Sequence, residues 1–478
     1  VTNGILAWAG YVPRLRLERK SAADANSWAN SSLASRGKGT RAFCNWDEDA
    51  LTMGVEAGRA CLAQTATQPE RLVFASTTPP FADRPSAVIA TAALKPHSRV
   101  RGLDQGGSQR AGSSALLDAL DQRSSSLVIA ADTRHGSPGT IQELAYGDGA
   151  AAVLVGSGDS VVARYLGGAS NGADFVDHFR ATGETRELHW EERWVRDEGI
   201  GKIVPAMIKS VLKQADVDVA AVQHFIFPTI MAKLADQIAA KLGITPTAVR
   251  DDLGASVGET GAAHSLLMLA ATLDVAKTGE KILVVTWGHG CDVLLFETTE
   301  ALTSKQSAAT VAAQIARGSN ECSYQKFLSF KGEVKIDFGL RFEAEVRTAL
   351  TAQYRRSGEM AAFIAGKCPK CSSVQFPRAG VCVNAACDYI GEQAPLSLLG
   401  DKGHIVSFTA DWLSFKGAPP FCFGLVQFES GARVLMEFAD FSADQLQVGA
   451  PVRPVYRRKE VDTLRHYHSY FWKAAPAV

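Results

Sequence analysis

Two groups of side chains in this sequence have the types and spacing for chemistry. The first is "CPKCSSVQFPRAGVCVNAAC", with Cys368, Cys371, Cys382 and Cys387 in a C-x2-C, ten-residue, C-x4-C pattern. Two short cysteine turns facing each other make a cage of four thiolates, which suits tetrahedral Zn2+. A redox dithiol needs only one C-x-x-C pair, so the doubled arrangement points to metal. Four protein ligands leave no open coordination position, which makes such a zinc structural and not catalytic. The second group lies in "DQGGSQRAGSSALLDAL", residues 104–120, where a strand end runs through a Gly-Gly-Ser turn into an amphipathic helix. A helix start offers unpaired N–H groups and a positive dipole end, a common mounting for a nucleophile. The residue at its tip is Gln109, which cannot act as one.

The first three hundred residues alternate short β-branched runs with helical patterns. Segments 71–77, 125–132, 150–156, 224–228 and 281–288 predict buried strands, and 47–64, 112–122, 199–215, 230–243 and 261–279 predict helices. Strands alternating with helices argue for an α/β domain. An internal echo sharpens this: helix 112–122, strand 125–132 and "YGDGAAAVLVG" match helix 261–279, strand 281–287 and "WGHGCDVLLFE" in order, element type and Gly-x-Gly turn. A duplicated half-domain is the economical reading. The organisation expected is two such halves, 1–165 and 166–305, a helical linker over 306–360, a zinc ribbon over 361–395 and a small β-barrel over 396–478, with a hairpin at "ESGAR". With 50 basic and 50 acidic residues the net charge is zero, which argues against nucleic acid or an acidic membrane surface as the main partner. The sequence has no apolar run of membrane-spanning length and no export pattern, so the expectation is a cytoplasmic protein.

"GILAWAGYVPRLRL", "NWDEDALTMGVEAGRACL", "STTPPFADRPSAVIATAAL", "LDQGGSQRAGSSAL", "ADTRHGSPG" and "YGDGAAAVLVG" together resemble, in this order, the thiolase superfamily. The branch is that of hydroxymethylglutaryl-CoA synthase, especially its archaeal form, with ketoacyl-carrier-protein synthase III next. From about residue 355 onward the chain resembles small OB-fold proteins with a rubredoxin-like zinc ribbon, which accompany thiolases and acyltransferases. The resemblance implies a duplicated five-layer αβαβα domain, a homodimer, and chemistry on coenzyme A thioesters. It also implies that the barrel closes over a pantetheine tunnel, with Arg457, Arg458 and Lys459 neutralising CoA phosphates. In that family a cysteine forms an acyl-thioester and a glutamate, a histidine and an asparagine handle protons and the enolate. Carried over residue by residue, the nucleophile position falls on Gln109, between Ser108 and Arg110, and the glutamate position on Thr77. The histidine position falls on Pro228 or Thr229, and the asparagine position on Glu259. The loop "TWGHGCD" is expected to bring Gly288 beside the helix start and adds His289.

Three readings fit these substitutions. In the first, Gln109 and the helix-start N–H groups hold a carbonyl oxygen while Glu259 or His289 moves the proton, so that a C–C bond in a β-oxo or β-hydroxy acyl compound is cleaved or formed without an acyl-enzyme. Decarboxylation of a malonyl-type or β-keto thioester belongs to the same chemistry, and Arg110 is a candidate to hold a carboxylate. In the second, Ser108 or no nucleophile at all serves a direct acyl transfer to or from CoA. In the third, the domain is a dead CoA-binding scaffold that needs a thiolase partner subunit. The basic and aromatic "PVYRRKEVDTLRHYHSYFW" would suit an oligonucleotide, but neutral charge argues against it.

Overall fold

The echo read in the sequence is a duplicated sheet. The computed structural model describes residues 3–94, 99–122, 124–305, 309–337, 349–414, 417–442 and 445–477. They form two compact units, divided for most of the chain between Val334 and Lys335.

In the first unit nine strands form one sheet: β1 (Asn3–Tyr11), β2 (Arg71–Ala75), β3 (Arg101–Gln105), β4 (Ser126–Thr133), β5 (Asp148–Ser157), β6 (Ala163–Gly172), β7 (Val222–Ile226), β8 (Lys281–Trp287) and β9 (Gly290–Thr298). Their order is β7-β8-β9-β6-β1-β5-β4-β2-β3. In one half β2 runs parallel to β4, then β5 and β1 follow antiparallel. In the other, β7 runs parallel to β8, then β9 and β6 follow antiparallel. In the sheet the halves meet between β1 and β6, where Gly4 pairs with Arg164 and Ile5 with Ala163. β1, β2, β4, β5, β8 and β9 are largely buried along their length because both faces are covered, whereas β3 and β6 are partly exposed.

Helices α1 (Ala50–Leu62), α2 (Ala111–Asp121), α3 (Gly201–Gln214), α4 (Leu234–Leu242) and α5 (His264–Leu273) complete the layers. α2 and α5 lie in the middle, their Leu116, Leu120, Leu266 and Leu269 in one core with Val128 and Val153 of the first half and Val284 and Phe296 of the second. α3 and α4 cover the outer face of the second half with Val204, Ile208, Leu234 and Ile238. α1 starts at a capping box, Thr52 N–H donating to Asp49 at 2.9 Å and Asp49 N–H to the Thr52 hydroxyl at 2.8 Å. The result is the expected αβαβα arrangement.

The boundary expected near 306 lies later. Val311–Ala316 and Tyr324–Phe330 are helical, Ser319–Glu321 pairs in parallel with Leu15–Glu18, and Phe327 packs with Phe43. This stretch is polar because it covers a surface, which is why it reads as a linker. Residues 306–308 and 338–348 of the expected linker lie outside the described residues.

In the second unit Ile364–Lys367 pairs with Val374–Gln375 and Ala394–Ser397 around the cysteine turns. Five strands follow: β10 (Gly403–Asp411), β11 (Phe421–Phe428), β12 (Arg433–Glu437), β13 (Pro451–Asp462) and β14 (Tyr467–Pro476), in the order β12-β11-β10-β13-β14. A bridge between Phe438 and Ala474 closes the sheet into a barrel around Trp472. The hairpin expected at "ESGAR" joins β11 to β12. Among the described residues no helix is long and apolar enough to cross a membrane.

One glycine fixes how closely the middle helices approach. A Cβ on Gly112 would sit 2.2 Å from the Ala262 carbonyl oxygen. Gly112→Val is therefore expected to lower unfolding free energy by about 1–3 kcal/mol or more through overpacking. Gly172→Ala, with nothing within 4 Å of its Cβ, is expected to stay within about 0.5 kcal/mol of wild type in the same urea titration.

Candidate active site

The Gly-rich turn between β8 and β9 meets the start of α2, as expected. The Gly288 carbonyl accepts from the Ser108 hydroxyl at 2.8 Å and from Arg110 Nε at 2.7 Å. A Cβ on Gly288 would stand 3.0 Å from Ser108 Oγ, a tight contact in this turn. Arg110 does hold a carboxylate, but it is that of buried Asp292, at 2.6 Å. The same Asp292 accepts from Ser113, Ser114 and Ser170. Ser108 and Arg110 thus fasten α2 to the opposite half, and neither lines the cavity beside them. Thr77 is likewise structural in its contacts, its N–H and hydroxyl donating to Asp132 at 2.7 and 2.9 Å.

That cavity, of about 120 Å3, is lined by Gln109, Arg134, Tyr146, Asp177, His178, His189, Glu259 and Thr229 on its polar side, and by Trp190, Val195, Ile200, Ile230, Met231 and Trp287 on its apolar side. A second cavity of about 280 Å3 shares Thr229, Ile230 and Glu259 with it and is also lined by Arg19 and Arg36. The Thr229 hydroxyl accepts from Met231 N–H at 3.1 Å.

Arg134, 1% exposed, lies just beyond β4 at the centre of the polar side. It donates to both Glu187 oxygens, the Nε bond at 2.9 Å, pairs with Glu259, and stacks over the Tyr146 ring at 3.6 Å. Glu259 also accepts from Gly261 N–H at 2.9 Å, which turns its carboxylate toward Arg134. The Arg134 guanidinium holds the Glu187 carboxyl well below the usual carboxylate range against the opposing effect of burial. Burial pushes the Tyr146 hydroxyl up; it donates to Glu187 at 3.1 Å and bonds His189.

His178 and His189 come from a two-stranded ribbon, His178–Phe179 against Leu188–His189, in the segment between β6 and α3. Their register sets the two imidazoles side by side, stacked at 5.6 Å. His178 Nδ1 is 2.8 Å from Asp177, whose other oxygen accepts from Trp287 at 2.6 Å. The donors around the Gln109 carboxamide set its orientation, with the oxygen accepting from Arg134 at 2.7 and 3.2 Å and from His178 Nε2 at 3.0 Å. His289, at positive φ in the turn, bonds the His178 carbonyl through Nε2 at 2.8 Å and stands outside the cavity lining. His264 is a packed residue, its Nε2 2.8 Å from the Asp252 carbonyl, and burial pushes it down to about 4.

Of the residues expected from sequence, Gln109, Glu259 and Thr229 meet in this cavity. Arg134, Tyr146, Asp177, His178, Glu187 and His189 were not anticipated. The signal lay in "VDHFRATGETRELHW", two histidines each within two residues of an acidic one in a chain with only ten histidines. Arg457, expected at CoA phosphates, is buried and paired with Asp440 at 2.8 Å, because its place on β13 points it inside the second unit. Lys459 stands 5.6 Å over the Phe471 ring.

Replacing Arg134 by Met strands two carboxylates without their cation, and a loss of about 3–5 kcal/mol is expected at pH 7. Glu187 and Asp177 are held low in the folded protein, so their stabilisation is present above their unfolded pKa and lost as pH falls through the folded one. In the Met variant Glu187 lacks the charge that held it low. Urea titrations at pH 7 and pH 4 are expected to show a smaller gap between the two proteins at the lower pH.

Residues 212–294 match the family model for the C-terminal part of 3-oxoacyl-[acyl-carrier-protein] synthase III, and residues 397–457 match that for the ChsH2 C-terminal OB-fold domain. The hydroxymethylglutaryl-CoA synthase of Caldivirga maquilingensis is 27% identical over 350 residues, covering 70% of this chain and 99% of that protein. That of Aeropyrum pernix is 26% identical over 344 residues, covering 70% and 95%. Among solved structures, MvaS in complex with 3-hydroxy-3-methylglutaryl coenzyme A superposes with a TM-score of 0.58 at 18% identity over 69% of this chain and 91% of its own. The 3-oxoacyl-(acyl carrier protein) synthase III of Pseudomonas aeruginosa gives 0.56 at 18% identity over 63% and 99%. The layered sheet, the duplicated halves and the closed barrel agree with these likenesses: over about 70% of its length the chain is similar in sequence and fold to these synthases, and over residues 397–457 it is similar to a C-terminal OB-fold domain.

Proposed function

We infer that this chain is a CoA-dependent enzyme that cleaves, or in reverse forms, the C–C bond of a β-oxo acyl compound without a covalent acyl-enzyme. The carrying observation is Gln109: at the tip of the α2 platform, a carboxamide lines the cavity with its oxygen held by Arg134 and His178. Held that way, its N–H2 group is the donor for a carbonyl oxygen that gains charge as an enolate or alkoxide develops. Glu259 and Glu187 fix Arg134, and Arg134 fixes Gln109. The apolar wall of Trp190, Val195, Ile200 and Met231 takes the acyl chain. The second cavity, which shares Thr229, Ile230 and Glu259 with the first, suits a pantetheine arm, and its Arg19 and Arg36 supply cationic charge for CoA phosphates. The hydroxymethylglutaryl-CoA synthases similar to this chain carry a CoA thioester in their name, which supports the substrate class.

The four cysteines of the second unit fit a structural Zn2+. Their Sγ atoms all lie within 4.8 Å of one another, Cys371 to Cys382 at 3.5 Å and Cys368 to Cys387 at 3.9 Å. A tetrahedron with Zn–S bonds of about 2.3 Å has edges of about 3.8 Å.

Two measurements test these assignments. Purified protein is incubated with malonyl-CoA, β-keto acids and their CoA esters, with and without CoA. Mass spectrometry then follows products and intact protein mass. Turnover with no acyl adduct is expected, and Gln109→Ala is expected to lower kcat by about 10²–10³-fold as a lost oxyanion donor. An acyl adduct on the protein overturns the non-covalent route. CoA binding with no turnover across the panel overturns the enzyme reading in favour of a scaffold. Separately, elemental analysis is expected to find one zinc per chain, lost in the Cys368→Ser/Cys382→Ser double variant together with the thermal transition of the C-terminal unit.

A further inference from the structure

We propose that His178, oriented by Asp177, is the proton-transfer residue of this site. This deepens the reading above and rests on it. The positions where the sequence was expected to carry a histidine hold Pro228 and Thr229, and both line the cavity without an acid–base group. The ribbon brings an imidazole to the same cavity from another part of the chain. His178 Nδ1 faces the Asp177 carboxylate at 2.8 Å, and Asp177 is itself held by Trp287 Nε1 at 2.6 Å. That chain of bonds fixes Nδ1 as the protonated nitrogen and turns Nε2 toward the cavity, where it meets the Gln109 oxygen at 3.0 Å. In the proton-accepting form Nε2 carries no hydrogen and the Gln109 oxygen is held by Arg134 alone; once protonated, Nε2 donates to that oxygen as well, so the site accommodates the imidazolium that proton uptake creates.

Neither expected base combines a place in the cavity lining with a carboxylate that orients it. Glu259 is paired with Arg134, and the Nε2 of His289 is spent on the His178 carbonyl. His189 is bonded through Nε2 to Tyr146. The charged and titratable groups facing His178 are Asp177 beside it, Glu187 and His189 from the opposite strand, His289 from the β8–β9 turn, and Arg134 across Gln109.

In the cleavage direction Nε2 takes the proton from the CoA thiol. The sulfur bonds to the β-carbonyl carbon, and the carbonyl π pair moves onto oxygen. Collapse of that alkoxide breaks the Cα–Cβ bond, whose electron pair stays on Cα as an enolate. The imidazolium returns its proton to Cα, giving one acyl-CoA and one shortened acyl compound. Atoms and charge balance with no further reactant, and one histidine serves both transfers.

The test uses the full-length protein with acetoacetyl-CoA plus CoA for thiolysis, and acetyl-CoA in D2O for exchange of its α-protons. Wild type, His178→Ala, His178→Gln and Asp177→Asn are compared for kcat, CoA affinity and melting temperature. Both His178 variants are expected to lose about 10²–10⁴-fold in kcat and exchange with CoA affinity within a few-fold of wild type. Imidazole is expected to restore part of the His178→Ala activity. Asp177→Asn is expected to lower kcat and displace the acidic limb of the pH–rate profile. An active wild type whose His178→Gln variant keeps folded stability, full rate and an unchanged pH profile overturns this proposal and leaves the proposed function standing. A wild type that binds CoA yet neither cleaves nor exchanges overturns both.

Discussion

The guanidinium of Arg134 is the constraint around which the site is arranged. It is buried, and a buried charge is tolerated only when paired and hydrogen-bonded. Its partners come from four separate stretches: Glu187 on the ribbon, Tyr146 before β5, Glu259 before α5 and Gln109 at the head of α2. Each must reach the same point for the charge to be satisfied, so one cation sets the mutual positions of groups that are far apart in sequence. Ion pairs this deep return little net stability against apolar residues of the same size. Their contribution is positional.

Three buried aspartates do similar work around it. Asp132 gathers the Ser76 hydroxyl and the N–H and hydroxyl groups of Thr77 and Thr78 together with the Ala262 N–H. Asp148 accepts from Cys44 N–H, Arg134 N–H and Lys331. Asp292 holds Arg110, Ser113, Ser114 and Ser170. Each lies at or near a strand end and takes its donors from loops or helix starts, the places where backbone and hydroxyl groups lack partners. The residues at the expected nucleophile-flanking and glutamate positions, Ser108, Arg110 and Thr77, belong to this bracing. The platform keeps its geometry while its tip carries a different side chain.

The fold was legible because it rests on periodicity: β-branched runs, helical spacing and a repeated Gly-x-Gly turn all report burial, which acts locally along the chain. The cysteine turns were legible because ligand spacing is local too. The cavity was legible only where it borrowed those elements, at Gln109, Glu259 and Thr229. His178, Glu187 and His189 sit on a ribbon without apolar alternation, and what places them are contacts with Gln109, Arg134 and Tyr146 respectively, each more than forty residues earlier, that no spacing encodes. Arg457 failed the other way. A basic run reads as surface charge, yet in β13 alternate residues face inward, and this one found Asp440 there.

The ribbon itself is slight. Its strands are two residues each, and Phe179, Leu188 and Trp190 on it are exposed. With so little apolar burial of its own, it is ordered chiefly by the bonds that Glu187, His178 and His189 make to the rest of the site. Segments of this kind open without global unfolding. The groups that line the cavity and the groups that order the ribbon are then largely the same groups. Occupancy of the cavity and order of the ribbon are thermodynamically linked, and a ligand that needs the ordered form binds more weakly by the fraction of time the ribbon is open.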